Sequence, residues 1–319
     1  MKHPMEVLKS KLYKILDIIP PNSKIIYFDY PVHTNVGDLL ILVATEKFFK
    51  NNYINIINRF CLLDYPLNLK INTDIILVFQ GGGNFGDLYP HSQRLREYFI
   101  KNYKNNRIVI LPQTIHFEDS NNFEKTSDIL QKHPDLHIFV RDKRSYKIAK
   151  DMVDNVYLVP DMAHFLWPIK TLNVNSGKYL FLLRTDKESI HKGTLHFERE
   201  DHHVIDWPNL IGKLDKCLIW TILRLYWINR KLNIKIFPMR LVWYRFSNYL
   251  IGKCIRLFSN YSHIVTSRLH GHILACLMEI PNTLLDNSYG KNEMYYKTWT
   301  YKIPYASFKK NIKSFEEVI

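Results

Sequence analysis

Cysteine is rare in this sequence and long apolar runs are absent, and both shortages narrow the class of protein. The four cysteines are widely spaced and form no CxxC pair, so the sequence indicates neither a zinc site nor a disulfide framework. No stretch reaches the roughly 18 apolar residues of a membrane span. Charges also interrupt the N-terminal apolar residues, where a signal peptide would have an unbroken run. We therefore expect a protein that works in the reducing cytoplasm.

Glycine is scarce as well, with 11 residues in 319, yet four of them fall between positions 81 and 86. Residues 80–90, QGGGNFGDLYP, follow an apolar run and precede a helical pattern. Glycine at such a turn permits positive φ and close approach of a ligand, and amides near a helix N-terminus bind phosphate or carboxylate. The spacing is neither a dinucleotide fingerprint nor a Walker A loop. The sequence thus predicts a strand-to-helix turn that either packs tightly or contacts a ligand.

Acidic residues are outnumbered by basic ones, 30 to 44, which gives a formal net charge of +14. Such a chain favours an anionic partner, and the basic residues concentrate between 208 and 256 together with three tryptophans. No nucleic-acid-binding signature accompanies this segment, so nucleic acid is not expected as a partner. Two interpretations remain: a helix with one core face and one solvated face, or an amphipathic helix on an anionic membrane surface, at the inner face of the plasma membrane.

Apolar runs alternate with helical patterns along most of the chain. Continuous apolar strands separated by helices indicate parallel sheets covered on both faces. The sequence therefore predicts an α/β protein of two Rossmann-like domains that face each other across a cleft. Strands are predicted at 24–30, 74–80, 107–114, 136–142, 156–161, 178–184, 263–267 and 282–287. Helices are predicted at 39–52, 92–104, 144–152 and 268–279, followed by a mostly helical tail.

A break in the pattern at 167–177, rich in Pro, Gly and Asn, predicts the linker between the domains. The predicted domains are therefore residues 1–170 and 171–319. A polar loop is predicted at 185–206. It contains four histidines, but the spacing within 196–203 fits no standard set of metal ligands, so no metal site is expected.

Polar clusters follow the predicted strands in both halves, where ligands bind in open parallel sheets. We expect these clusters to form one site with contributions from both domains. The candidate site residues are Asn35, Gly37, Asp38, Gly82, Gly83, Asn84, Asp87, Gln113, Arg141, Asp161, Arg184, Arg268, His270, Asn287 and Lys291.

Arg268 and His270 stand at the predicted start of a helix, where both side chains can reach a ligand. The arginine fork suits phosphate or carboxylate, and histidine exchanges a proton near neutral pH. The alternative is a surface arginine and a core histidine. The aspartates at strand ends are ambiguous in the same way, because each can act as a base, accept hydrogen bonds from sugar hydroxyls or cap a helix. These aspartates are Asp38, Asp87, Asp161 and Asp286.

Taken in order, these motifs resemble those of the polysaccharide pyruvyl transferase family. They cover most of residues 24–291, although segment 208–256 matches no motif of the family. One position departs from the pattern: the family commonly reads T-D-R-L-H where this chain has Thr266-Ser267-Arg268-Leu269-His270. The motifs that carry the resemblance lie at 34–41, 81–89, 111–117, 140–146, 159–165, 181–188 and 265–291.

The resemblance implies a GT-B-like fold and transfer of an enolpyruvyl-derived group from phosphoenolpyruvate to two hydroxyls of a sugar. The product is a cyclic pyruvate ketal on a surface polysaccharide or its lipid-linked precursor. The implied donor side is the C-terminal domain and the implied acceptor side is the N-terminal domain. Phosphoenolpyruvate is a co-substrate, and no metal or nucleotide cofactor is implied.

The resemblance also implies roles for particular residues. Arg268, Lys291 and Arg184 are expected to hold the phosphate and carboxylate of the donor. His270 is expected to act as the general acid, and Asp38 or Asp87 to orient the acceptor hydroxyls.

Two other classes of function stay open. A GT-B glycosyltransferase would share the fold and the anion pocket, and it would bind UDP or GDP in place of phosphoenolpyruvate. A non-enzymatic basic scaffold would bind an anionic membrane or nucleic acid in a salt-sensitive way, without turnover.

Overall fold

Two parallel β-sheets organise the part of the chain that the structure, a computed structural model, describes: residues 2–170, 176–186, 202–232 and 238–312. The first sheet has the order β2-β1-β3-β5-β6-β7, and β4 also pairs with β5. Its strands are β1 Lys24–Phe28, β2 Asn55–Phe60, β3 Ile76–Phe79, β4 Gly82–Gly86, β5 Ile108–His116, β6 Leu136–Val140 and β7 Val156–Leu158.

The second sheet has the order β12-β11-β10-β8-β9, with every pair parallel. Its strands are β8 Tyr179–Leu182, β9 His202–Ile205, β10 His263–Thr266, β11 Asn282–Leu285 and β12 Ala306–Lys309. The α-helices of the described residues are α1 Pro4–Lys11, α2 Val36–Asn51, α3 Pro90–Asn102, α4 Ser120–Gln131, α5 Lys143–Lys150, α6 Lys213–Leu232, α7 Met239–Phe258, α8 Leu269–Leu277 and α9 Lys291–Tyr295. Short 3₁₀ helices cover Leu12–Asp17, Met162–Leu166 and Trp207–Leu210, and a π-helical turn covers Tyr296–Thr300.

The predicted α/β class with parallel sheets is confirmed, and a strand overlaps each of the eight predicted ranges, although β5 continues past its predicted end to His116. Some predictions were wrong. The predicted polar loop ends in β9, and the predicted helical tail ends in β12. Both are short edge strands whose pairing with a neighbour, not their own sequence pattern, defines them. β2 was also missed. The domain boundary stays a prediction, because residues 171–175 lie outside the described part of the chain.

The glycine cluster is not the predicted strand-to-helix turn, because most of it forms β4, beside β5. The reason is close backbone approach. A Cβ on Gly86, where φ is +124°, would overlap the carbonyl oxygen of His116 in β5. A Cβ on Gly81 would lie 2.8 Å from the carbonyl oxygen of Pro112. Only glycine allows the two backbones to come this near, and α3 starts later, at Pro90.

Helix α2 connects the two halves of the protein. It starts at the N-cap Asn35, whose Oδ1 accepts the N–H of Gly37 at 3.1 Å, and Asp38 in its first turn suits the helix dipole. Most of its residues are apolar and buried, so it packs against α7, α8 and the 3₁₀ helix Met162–Leu166. One continuous hydrophobic core therefore contains residues from both sheets. The same packing brings the start of α2 beside the start of α8.

The described residues of the basic segment 208–256 include the long helix α6 and most of the long helix α7. Trp243 in α7 is fully buried, and its Nε1 donates to the carbonyl oxygen of Pro31 at 2.7 Å, which fixes the helix pair to the loop after β1. None of the helices in the described ranges is long and apolar enough to cross a bilayer.

Buried histidines make the fold sensitive to acid. Burial lowers the pKa of His272 to about 4 and that of His164 to about 4. Both rings stay neutral in the folded state but take up a proton in the unfolded chain below about pH 6.5. Their stabilising contribution is complete above that pH and is lost as the pH falls toward 4. Each histidine should lower the free energy of unfolding by roughly 2 kcal/mol at pH 5 relative to pH 7. Urea unfolding at the two pH values measures this difference.

A variant isolates this effect. The ring of His272 lies 2.6 Å from Oδ1 of Asn282 and 2.9 Å from Oγ1 of Thr300. In His272→Gln a neutral amide occupies this position and has no proton to gain. Its loss of stability between pH 7 and pH 5 should be smaller than that of the wild type, and an equal loss would contradict the assignment.

Candidate active site

A cavity of about 380 Å³ opens where the carboxyl ends of strands from both sheets come together. Its walls come from the loops after β1, β2, β3, β6, β8, β10 and β11 and from the first turns of α2 and α8. The candidate residues that line it are Asn35, Asp38, Gly83, Asn84, Arg141, Arg184, Arg268, His270 and Lys291. The candidates that do not line it are Gly37, Gly82, Asp87, Gln113, Asp161 and Asn287.

Three of the candidates outside the cavity support residues that line it. Gln113 donates from Nε2 to Oδ1 of Asn84 at 3.0 Å and to the carbonyl oxygen of Gln80 at 2.8 Å. Oδ1 of Asn287 accepts the N–H of Lys291 at 2.8 Å, at the start of α9. The position of a Cβ on Gly82 lies 3.6 Å from Oδ1 of Asp38. These residues contact residues of the cavity wall but do not line the cavity themselves.

Asp87 lies in a different loop and has a structural role. Its carboxylate accepts the backbone N–H groups of Glu118 and Asp119 at 2.9–3.0 Å. Burial opposes ionisation, but these hydrogen bonds together outweigh it and lower the pKa of Asp87 below its usual range. Of the two carboxylates expected to face an acceptor, Asp38 is the one on the cavity wall, where its Oδ2 accepts from Asn35 at 2.8 Å.

Arg268 is the N-cap of α8, and its guanidinium is held by two carboxylates. Its Nε and Nη2 donate to the two oxygens of Asp206 at 2.8 and 2.6 Å, and its Nη1 donates to Asp186 at 2.8 Å. Asp206 is buried, yet Arg268 and nearby backbone N–H groups outweigh the burial and lower the pKa of Asp206. Arg268 therefore enters the cavity as a positioned cation.

Arg184 lies next to Arg268 and shares a carboxylate with it. Its Nε and Nη2 donate to Asp186 at 2.9 and 3.1 Å, so Asp186 bridges the two guanidinium groups. The side chain of Asp186 is 41% exposed, whereas that of Asp206 is 1% exposed. Ser267, where the family commonly has aspartate, accepts the backbone N–H of Arg184 on its Oγ at 2.9 Å.

His270 extends from the first turn of α8 toward a buried carboxylate. Its Nε2 lies 3.3 Å from Oδ2 of Asp161, and the same oxygen accepts a short hydrogen bond from Nη1 of Arg141. Burial alone would raise the pKa of Asp161, but the neighbouring His270 and Arg141 outweigh it and place that pKa well below its usual range. Asp161 is therefore ionised at neutral pH and aligns both cavity-lining side chains.

The helix-capping interpretation holds for Asp161, the N-cap of Met162–Leu166, whose Oδ1 accepts the N–H of Ala163 at 2.8 Å. Asp286 is not an N-cap: its Oδ1 accepts the N–H of Glu293 at 3.2 Å, but α9 is capped by Gly290. Asp161 thus both starts a short helix and holds the ion pair. Among the residues that the structure describes, no three His, Cys, Asp or Glu side chains are grouped as a metal site would require.

Comparison with known proteins now identifies the family. Residues 35–289 match the sequence profile of the family described as Polysaccharide pyruvyl transferase. The chain belongs to the polysaccharide pyruvyl transferase family. Over 319 residues it is 42% identical to EpsO of Bacillus subtilis (strain 168), whose name assigns it to the pyruvyl transferases, with 98% of each chain covered.

One further sequence relative and one solved structure are similar to this chain. It is 29% identical over 294 residues to Pyruvyl transferase 1 of Schizosaccharomyces pombe, covering 87% of this chain and 70% of that protein. The crystal structure of a functionally uncharacterised protein from Klebsiella pneumoniae superposes with a TM-score of 0.60 at 23% identity, covering 98% of this chain and all of that one. The second likeness shows a shared fold alone.

Several cavity residues of this pyruvyl transferase family member escaped the sequence analysis. Asp29, directly after β1, lines the cavity with φ at +57°, a conformation that non-glycine residues rarely adopt. Burial raises the pKa of Asp29, and Asn84 donates to its Oδ2 at 2.7 Å. Asp186, which lines the cavity, and Asp206, which pairs with Arg268, were missed as well. Both lie in the range predicted as a polar loop, and their shared partner Arg268 is remote in sequence.

The contact between Gly37 and His270 gives a testable prediction. A Cβ on Gly37 would lie 2.6 Å from Nδ1 of His270, so Gly37→Ala must displace that ring or separate α2 from α8. We expect a loss of roughly 1–3 kcal/mol in the free energy of unfolding. Gly252→Ala in α7 is the matched control, because its Cβ meets nothing closer than 3.6 Å and should stabilise by roughly 0.5–1 kcal/mol. Equal effects in urea unfolding would refute the contact.

Proposed function

We propose that this protein transfers the pyruvyl group of phosphoenolpyruvate to two hydroxyls of one sugar, in a surface polysaccharide or its lipid-linked precursor, and forms a cyclic ketal. One observation carries the proposal: Arg268 and His270 line the same cavity as Arg184 and Lys291. Family membership supports pyruvyl transfer in general. The donor, the ketal and the two-domain GT-B-like arrangement, with the donor on the C-terminal side, are parts of this proposal.

The donor carries a phosphate and a carboxylate, and the cavity offers cations for both. The guanidinium groups of Arg184 and Arg268 lie side by side, and Nζ of Lys291 lies 3.8 Å from the position of a Cβ on Gly83. In the structure Asp186 bridges the two arginines. Because Asp186 is partly exposed, the donor's anionic group can replace it, while the buried Asp206 keeps Arg268 in position.

The proposed chemistry needs one proton on carbon and two bonds to oxygen. His270 delivers a proton to the methylene carbon while one sugar hydroxyl attacks C2 and loses its proton. Phosphate then leaves, the second hydroxyl attacks the same carbon and loses its proton, and the ring closes. The ionised Asp161, 3.3 Å from Nε2 of His270, stabilises a positively charged ring before the transfer. No step of this scheme requires a metal or a nucleotide cofactor.

The acceptor is proposed to enter from the side of the first sheet. Asp38, Asn84 and Asp29 line that wall and present oxygen and amide groups suited to sugar hydroxyls. Asp38 is the proposed base for an attacking hydroxyl, since its carboxylate stands at the start of α2 close to Asn35. All four cysteines are free, three of them buried, which supports the proposal that the protein works in the cytoplasm.

The alternative, a glycosyltransferase that uses a nucleotide sugar, is not favoured by the comparisons, because the family and the named relatives concern pyruvyl transfer. The two proposals differ in the ligand that they require. Phosphoenolpyruvate should stabilise the protein in the first case, and UDP or GDP in the second.

Thermal unfolding with and without phosphoenolpyruvate tests the donor site. A ligand that binds only the folded state raises Tm by mass action. We expect a rise for the wild type and none for Arg268→Ala. Arg184→Gln provides a second test, because Arg268→Ala leaves Asp206 buried without its partner.

The control is Arg59→Ala, which breaks a comparable bidentate ion pair with Glu46, at 2.6 and 2.8 Å, outside the cavity. This variant should still respond to phosphoenolpyruvate. No rise in the wild type with phosphoenolpyruvate, together with a rise with UDP or GDP, would replace this proposal by the glycosyltransferase.

Substitution of the proposed acid gives a kinetic prediction. His270→Gln should lower kcat by about 100- to 10,000-fold and leave the Tm response to phosphoenolpyruvate in place. Phosphate release with a panel of methyl hexosides measures turnover, and mass spectrometry detects the ketal. His137→Gln is the control, since His137 also contacts a carboxylate, Asp135 at 2.7 Å, but lies outside the cavity lining. Comparable activity of the two variants would remove His270 from the mechanism.

A further inference from the structure

The outward face of α6 carries two exposed tryptophans among basic side chains. Trp220 is 59% exposed and Trp227 is 58% exposed, although tryptophan is usually highly buried. Arg224 lies 4.9 Å from the ring centroid of Trp220, and Lys231 lies 4.9 Å from that of Trp227. The spacing 220, 224, 227, 231 places all four on one face. We call these four residues the α6 stripe.

The opposite face of α6 explains why the α6 stripe points outward. Ile219, Ile222 and Tyr226 are buried and belong to the main hydrophobic core. Asp215, the acidic residue in the first turn, is buried too, and Lys253 of α7 donates to it at 2.8 Å. The helix is thus fixed by its inner face, and its two tryptophans stay at the surface without contributing to the core.

The charge on this face has one sign. Lys213 and Lys216 are exposed, as are Arg224 and Lys231, and the described part of α6 has no exposed acidic residue. Exposed tryptophan combined with lysine and arginine is the composition of helices that lie in the headgroup region of an anionic bilayer. A second copy of this chain paired through the same stripe would place like charges against each other.

Helix α7, which packs against α6, also contacts the loop that lines the cavity. Nη2 of Arg240 in α7 donates to Asp64 at 2.7 Å, and the preceding Leu62 and Leu63 line the cavity. Both leucines are partly exposed, at 38% and 46%. The α6 stripe is thus connected to the cavity wall through α7.

We propose that the α6 stripe docks this protein on an anionic lipid bilayer, with Trp220 and Trp227 in the headgroup region and the basic side chains on lipid phosphates. The inference does not rest on the proposed reaction, since it concerns only the surface of α6. It gives a physical basis for the membrane interpretation of segment 208–256.

Co-sedimentation with vesicles tests the proposal. The full chain should sediment with vesicles of phosphatidylcholine containing about one third phosphatidylglycerol, and much less with phosphatidylcholine alone. Raising the salt concentration should release it. Trp220→Ala/Trp227→Ala should reduce the bound fraction on anionic vesicles by roughly tenfold, and Arg224→Gln/Lys231→Gln should weaken the dependence on salt.

The matched control is Tyr53→Ala/Tyr301→Ala, which removes two exposed aromatic rings, 77% and 52% exposed, away from α6. It should bind as the wild type does. A second readout is tryptophan emission, which should shift to the blue on anionic vesicles and should not shift in Trp220→Phe/Trp227→Phe.

Three outcomes would overturn the proposal. The wild type fails to sediment with anionic vesicles; the double alanine variant on α6 binds as well as the wild type; or analytical ultracentrifugation shows a dimer that this variant abolishes, which would make the stripe an interface between two copies. Each outcome leaves the phosphoenolpyruvate response untouched, so membrane docking and the proposed reaction are judged separately.

Discussion

A buried carboxylate, Asp161, is the group on which the site depends. It follows β7 of the first sheet, pairs with Arg141 from the end of β6 and contacts His270 from the start of α8. Burying a carboxylate is costly unless cations and hydrogen bonds compensate. Here the guanidinium of Arg141, the ring of His270 and the N–H of Ala163 do so. One ionised group thus sets the positions of side chains that come from both halves of the chain.

The second constraint is the close approach of neighbouring atoms to the backbone, and it explains the positions of several of the few glycines. Gly37 lies beneath the ring of His270, and Gly83 lies under the guanidinium of Arg141, with only 3.1 Å between its Cβ position and Nη2. A methyl group at position 37 would displace His270, and one at position 83 would displace Arg141; both side chains are partners of Asp161. Gly81 and Gly86 also permit a close approach, because a Cβ at either position would lie 2.8 Å or less from a backbone carbonyl oxygen of β5.

The sequence could predict the features that depend on neighbouring residues, but not those that depend on contacts between residues remote in sequence. Strands such as β6 and β10 are fixed by local apolar runs, and Arg141 and Arg268, which follow their ends, line the cavity. β4 could not be predicted in this way, because an extended glycine segment is a strand only through its partner. The carboxylates that hold Arg268 were missed for the same reason: Asp186 and Asp206 are separated from it by 82 and 62 residues. The local sequence pattern indicates the cation, Arg268, whereas its carboxylate partners can be identified only from the folded structure.

The two carboxylates on Arg268 differ in a way that determines how an anion could enter. Asp206 is buried and makes a bidentate pair with Arg268. An anion that displaced it would leave the carboxylate of Asp206 desolvated and without its partner. Asp186 is 41% exposed, so it loses less on returning to water than Asp206 would. In the proposed reaction an incoming phosphate or carboxylate would exchange with Asp186, and the pair with Asp206 would keep the guanidinium of Arg268 in its orientation.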